Sequence, residues 1–188
     1  MRIVKKILIV FAVIFVVIAA IGFIFFPSHI HVERNATILQ KQKVVYNYVR
    51  NFKNWNSWSP WYQLDTAANY SYVGSELGIG DEFKWESVLE EVGKGIITIT
   101  DVLPDSVIKQ DWNFMEKGIA KSTFRFFPEK NGTKVFWQFD VEAGTNPLYR
   151  IMGGFMDAML GKDFEKGLAS LKKILEAIPV SDSTLHQQ

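Results

Sequence analysis

Twenty consecutive residues, Ile7 to Phe26, carry no polar side chain, and nothing else in the chain limits its architecture so sharply. At about 1.5 Å per residue such a run matches the roughly 30 Å apolar thickness of a bilayer. Arg2, Lys5 and Lys6 precede it. The positive-inside tendency then holds the N-terminus in the cytoplasm and sends everything beyond Pro27 across the membrane. A cleavable secretory leader is the competing reading, because Ala20-Ile21-Gly22 offers small residues at the cleavage spacing. The run is longer than the roughly 7 to 15 apolar residues of a leader and continues through Phe23 to Phe26, so an uncleaved single-pass anchor is expected. The chain then divides into a basic tail (1–6), a transmembrane anchor (7–26), one folded domain (27–178) and a polar tail (179–188) expected to be disordered.

Composition removes several function classes. There is no cysteine, hence no disulfide, no thiolate nucleophile and no lipoprotein attachment site. Of the 21 Lys and Arg, all but Arg2, Lys5 and Lys6 fall in the domain, against all of the 20 Asp and Glu except Asp182. The domain is therefore nearly neutral and has no nucleic-acid footprint. Its roughly 150 residues can bury about 70% of their unfolded surface.

His29 to Leu39 alternates as a half-buried strand, with Ile30, Val32, Ala36 and Ile38 on one face and His29, His31, Glu33, Asn35 and Thr37 on the other. Lys41 to Phe52 changes to helical spacing through Val44, Val45, Tyr48, Val49 and Phe52. A tryptophan-rich piece, Asn54 to Tyr62, follows and is broken by Pro60. Strands are then expected at Tyr70–Val73, Asp81–Val88, Gly93–Leu103, Ser106–Phe114, Gly118–Phe127 and Thr133–Ala143. Turn residues separate them: Gly74, Gly78 and Gly80; Pro104-Asp105; Lys117-Gly118; and Pro128 with Asn131-Gly132. Connections this short make consecutive strands antiparallel. One long helix should close the domain, capped by Asn146, opened by Pro147 and stopped by Pro179. Leu160, Phe164, Leu168, Leu171, Leu175 and Ile178 form its stripe. Its first half is apolar nearly all round, and four glycines (Gly153, Gly154, Gly161, Gly167) imply close backbone approach, a kink or space left beside it. That half is read as a cavity wall. Periodicity alone yields an α+β domain in which the last helix covers one face of a seven-stranded antiparallel sheet.

Particular residues go further. Val32-Glu33-Arg34, Asn51-Phe52-Lys53-Asn54-Trp55, Trp58-Ser59-Pro60-Trp61, Gly78-Ile79-Gly80 ahead of Trp85-Glu86, and Gly161 to Leu168 together resemble the SRPBCC superfamily, also called START-like or polyketide cyclase/dehydrase-like. The resemblance covers about residues 30 to 177 and is nearest to membrane-anchored bacterial members. It implies a helix-grip fold in which a curved sheet wraps the long C-terminal helix around a deep pocket for an apolar ligand. The fold hosts carriers, cyclases, hydroxylase subunits, receptors and co-chaperones, so it does not choose among functions.

On this reading Trp58, Trp61, Phe83, Trp85, Trp112, Phe114, Phe124, Trp137 and Phe139 line the pocket, with Met152, Phe155, Met156 and Met159 as a deformable wall. The alternative is that these residues, with Phe126, simply pack as core. The Trp58–Trp61 segment can equally be a core plug, a pocket entrance or an interfacial anchor. No catalytic set, metal site or cofactor is expected. His29 and His31 share a strand face, yet two histidines with Glu33 as third member do not complete a site. Alternation sends Glu86, Asp140 and Glu142 mainly to water; Asp101 and Asp111 are further strand carboxylates, and Arg125 and Arg150 are candidate partners for an acidic head group. Gly-x-Ser-x-Gly is absent, and Gly78-Ile79-Gly80 precedes a strand, which makes it a hairpin turn.

The leading expectation is a membrane-tethered domain that binds a hydrophobic small molecule or lipid without transforming it. A cyclase/dehydrase-type enzyme would instead need an inward carboxylate or Tyr, and a pocketless envelope interaction module would show an exposed apolar patch. No residue pattern names a protein partner.

Overall fold

A computed structural model describes residues 2–75, 78–115 and 118–179. Lys117 of one expected turn and residues 180–188 of the expected tail lie outside the described residues. The apolar run forms α1 (Arg2–Phe25), after which β1 (His29–Ile38) alternates as its pattern requires. Next come α2 (Gln42–Arg50), a 3-10 turn at Phe52–Asn54 and the short α3 (Trp55–Trp58). The remaining strands are β2 (Asn69–Val73), β3 (Glu82–Glu86), β4 (Lys94–Leu103), β5 (Val107–Asn113), β6 (Ile119–Glu129) and β7 (Gly132–Glu142). They form a seven-stranded antiparallel sheet in the order β1-β7-β6-β5-β4-β3-β2.

The meander β2 to β7 follows from short connections, but β1 closes the sheet by pairing with the last strand, from His29 opposite Glu142 to Ile38 opposite Thr133. Two turn details explain themselves locally. Asp105 takes φ +60° between β4 and β5, a left-handed conformation that Asp tolerates. Pro128, expected in a turn, lies inside β6 opposite Thr133 on β7; the paired register of β5 with β6 ends at Arg125, so its missing N–H breaks no ladder there.

The single long helix expected over 146–178 is two helices, α4 (Pro147–Gly153) and α5 (Met156–Glu176). Asn146 caps α4 as anticipated, its side chain accepting from Leu148 N–H at 3.0 Å. At the break, Gly154 N–H donates to the Arg150 and Ile151 carbonyls, ending α4 against Phe26. The glycines reflect close approach: a side chain at Gly153 would strike Ile30, and one at Gly161 would strike the Arg34 guanidinium. Past the break, Phe164, Leu168, Leu171 and Leu175 are buried against the concave face of the sheet.

Both ends of α5 are fastened to β1. Near its start Arg34 donates to Asp157 and Glu165, each at 2.7 Å. Near its end Lys172 donates to the Thr37 carbonyl at 2.8 Å, and Glu176 accepts from Leu39 N–H at 2.8 Å. The hydrogen bond from Arg34 holds the Asp157 carboxyl below its ordinary value. A depressed carboxyl pKa contributes stability that is present above the unfolded value and lost as pH falls through the folded one. Arg34→Ala should therefore lower stability by on the order of 1 kcal/mol near neutral pH, most of it absent once Asp157 is protonated below the ordinary carboxylate range. Urea unfolding of the full chain in micelles, followed by tryptophan emission at pH 7 and pH 3, measures both effects.

Candidate functional site

The concave face collects aromatic side chains from the alternating inward positions of four strands: Phe83 and Trp85 on β3, Trp112 on β5, Phe124 and Phe126 on β6, Trp137 and Phe139 on β7. Trp58 ends α3 and Trp61 follows it, and both meet Phe164 of α5 or the rings beneath it. At the centre Trp137 and Phe164 stack almost parallel, with centroids 4.0 Å apart and planes 3° from coplanar. Phe124 also stacks on Trp137, with centroids 5.0 Å apart, and Trp58 meets Trp137 edge-on at 5.4 Å. Trp61 closes over Trp112 at 5.4 Å, and Phe139 meets Trp112 at 5.5 Å.

The expected hollow is therefore filled in this conformation. Trp58, Phe83, Trp112, Phe124, Trp137 and Phe139 are each at most 4% exposed and pack on one another. Two concavities of about 270 and 240 Å³ lie among the described residues, but elsewhere. One is bounded by Asn51, Phe52, Tyr72, Val73 and Asp81, and the other by Ser71, Lys84, Trp85, Lys94 and Met115. Neither lies under α5. Aromatic rings at alternating strand positions fit the wall of a cavity and a solid core equally well, and only their summed volume tells the two apart.

Three expected wall residues face the other way: Met152, Phe155 and Met159 are 65%, 60% and 70% exposed. At about 100° per residue, the nine positions between Met159 and Leu168 put them on opposite sides of α5. Met156 and Leu160 carry the inward stripe instead, half-buried beside the core, while Trp61, Trp85 and Phe114 are half-buried at its rim. Trp55 and Phe164 belong to the ring cluster and were not anticipated as part of it. For Phe164 the signal was its place in the helical stripe, and for Trp55 its three-residue spacing from Trp58.

The interior also holds a few neutral polar groups. Trp112 donates to Gln110 and Trp137 to Ser122, each at 3.1 Å, so two indoles are fixed in orientation. Trp58 Nε1, Gln110 Nε2 and the Tyr46 hydroxyl are buried without a hydrogen-bond partner, a cost of about 1–3 kcal/mol each. The carboxylates considered as acid or base candidates lie on the other face. Asp101 pairs with Lys109 at 2.8 Å, whose hydrogen bond lowers its carboxyl pKa, and Asp140 and Glu142 meet histidines. Arg125 pairs with Glu33 at 3.1 Å, and Arg150 donates to the Gly144 carbonyl at 2.9 Å while lying 4.7 Å from the Phe23 ring centroid. Neither arginine points into the interior.

At one end of the grip, apolar side chains reach solvent. Leu148, Tyr149, Met152, Phe155 and Met159 form an exposed strip along α4 and the start of α5. The strip adjoins the end of α1, where Phe26 meets the Phe155 ring at 6.4 Å and Gly22 is buried against Pro147.

Residues 29–176 match the model of a family described as polyketide cyclase/dehydrase and lipid transport. No curated protein matches the sequence. Among solved structures, the Aha1 dimer from Colwellia psychrerythraea superposes with a TM-score of 0.56 at 17% identity, covering 78% of this chain and 96% of its own. A protein of unknown function from Staphylococcus aureus, SA2116, gives 0.59 at 13% identity over 79% of this chain and 94% of its own. The di-domain ARO/CYC StfQ of the steffimycin biosynthetic pathway gives 0.60 at 13% identity over 79% of this chain and 51% of its own. These likenesses are to the helix-grip fold.

The stacked pair carries a measurable weight. Phe164→Ala removes a ring from a site with no exposure and should cost about 3–5 kcal/mol. Met159→Ala, on the exposed side, should change stability by less than about 0.5 kcal/mol. Denaturant unfolding of the two variants beside the parent chain checks the contrast.

Proposed function

This chain belongs to the polyketide cyclase/dehydrase and lipid transport family, and from that membership we propose that it binds a hydrophobic small molecule or lipid beside the membrane without transforming it. The observation that carries the proposal is the exposed apolar strip of α4 and early α5, set at the end of α1 and continuous with the half-buried Met156 and Leu160 beside the aromatic interior. In this reading α1 spans the bilayer: its 24 residues reach about 36 Å, and Arg2, Lys5 and Lys6 keep its start in the cytoplasm. The domain is then extracytoplasmic, and the strip faces the lipid from which a ligand would come.

The filled interior sets the terms of binding. A guest enters by displacing rings and thioethers at the α4–α5 end, with Met156, Leu160, Trp61 and Phe114 moving first because they are already half-exposed. The helix is already interrupted between α4 and α5, so a shift at that end need not unwind α5. A molecule already dissolved in lipid gains little by passing from one apolar phase to another. Selection therefore rests on shape and on the unpartnered donors Trp58 Nε1 and Gln110 Nε2. These favour an apolar body carrying an oxygen acceptor. Tethering raises the effective concentration of such a ligand at the pocket. The inner face presents no carboxylate among the residues named above, which is why binding is preferred to acid–base catalysis.

A brominated fatty acid is a suitable probe, because bromine quenches nearby indoles and the carboxylate supplies acceptors. With the full chain in nanodiscs, trace probe should quench the buried tryptophans saturably, and Leu160→Phe, which crowds the entrance, should weaken that quenching several-fold. Quenching that rises only linearly with the probe's mole fraction, unchanged in Leu160→Phe, would sink the proposal.

A further inference from the structure

The outer face of the sheet carries a constellation that ligand binding does not use. His29 and His31 sit two residues apart on β1, and the register places Glu142 directly opposite His29 and Asp140 directly opposite His31 on β7. Four metal-competent side chains thus occupy a two-by-two patch on paired backbone. Asp140 Oδ1 lies 2.7 Å from His31 Nδ1 and 3.2 Å from His29 Nε2, so one carboxylate oxygen bridges both rings. The other nitrogen of His29, Nδ1, meets Glu142 Oε1 at 2.8 Å.

We propose that His29 Nε2, His31 Nδ1 and Asp140 bind a divalent transition-metal ion of the zinc type, with Glu142 holding the His29 ring from behind. Three donor atoms, one from each ligand, lie within 4.8 Å of one another. Metal–ligand bonds of about 2.0 Å put neighbouring donors of a tetrahedral zinc about 3.3 Å apart, so small side-chain rotations suffice. Two imidazoles and a carboxylate suit zinc, nickel or copper, whereas calcium and magnesium prefer oxygen alone. An imidazole whose far N–H is held by a carboxylate is set in one tautomer and made a better ligand, and that is the position of Glu142. Glu33, the third member suggested by strand spacing, is instead taken by Arg125 at 3.1 Å. Side-chain exposures of 54% for His29 and 44% for His31 leave the remaining coordination position open to solvent. A bound ion would cross-link β1 to β7 four residues after α1 ends, where the tether enters the sheet.

The competing account is a set of histidinium–carboxylate ion pairs that hold no metal. Hydrogen bonding to Glu142 raises the His29 pKa, so protons compete with an ion as pH falls and the comparison belongs at pH 7.5. Untagged full-length chain in micelles, stripped with chelator, is titrated with zinc chloride by calorimetry, and with cobalt(II) while its visible absorption is recorded. Expected are one equivalent of zinc per chain at micromolar affinity or tighter, ligand-field bands with cobalt, and no heat with magnesium. His29→Gln and His31→Gln should each weaken zinc at least tenfold. Glu142→Gln should weaken it about tenfold. Because these side chains are exposed, unchanged tryptophan emission will show that the variants fold. No stoichiometric zinc binding, or binding that survives in the His29→Gln/His31→Gln double variant through other donors such as His186, would overturn the proposal.

Discussion

The parallel stack of Trp137 on Phe164 joins the two halves of the domain, one ring from the last strand and one from the last helix. It depends on how near α5 comes to the sheet. Gly167 makes that approach possible: a Cβ there would stand 3.0 Å from the Trp137 ring and 3.2 Å from Pro60. Around the stack, Phe124, Trp58, Trp61 and Phe139 meet these two rings by edge or face, the geometry that the charge distribution of aromatic rings favours. Ser122 ties the indole in place. The position of α5 against the sheet follows from this contact.

The two ends of the grip are built from different chemistry. Far from α1, polar bonds hold α5 to β1: Lys172 and Glu176 meet β1 and the residue after it, and Gln40 donates to the Ile178 carbonyl at 3.2 Å. Near α1, past the Arg34 clamp, contacts are apolar and side chains are half-exposed. An element held by few buried contacts opens at lower free energy than one held by many. That asymmetry is why ligand entry is proposed at the α4–α5 end, while the stacked centre supplies stability.

Much of this architecture was legible residue by residue. Ile7–Phe26 announced α1, alternation in His29–Ile38 and in each later strand announced the sheet, and the Asn146-Pro147 start of α4 was read correctly. The site was less legible. Met152, Phe155 and Met159 were expected inside and lie outside, because the break after Gly153 and the helical phase of Met156, Leu160 and Phe164 turn them away from the sheet. Asp140 could not be picked out as the partner of His29 and His31, since 109 residues separate it from His31.

By itself, then, the sequence determined the periodicities: which segments are helices or strands, which face of each is apolar, and that one segment is long and greasy enough to cross a bilayer. These properties reside in neighbouring residues and the geometry of a single element. Only the tertiary structure decided that β1 closes the sheet against β7, that two histidines meet two carboxylates across that seam, and that the space under α5 is full. Each is a sum over side chains from distant elements, and packing volume and cross-strand register have no local signature.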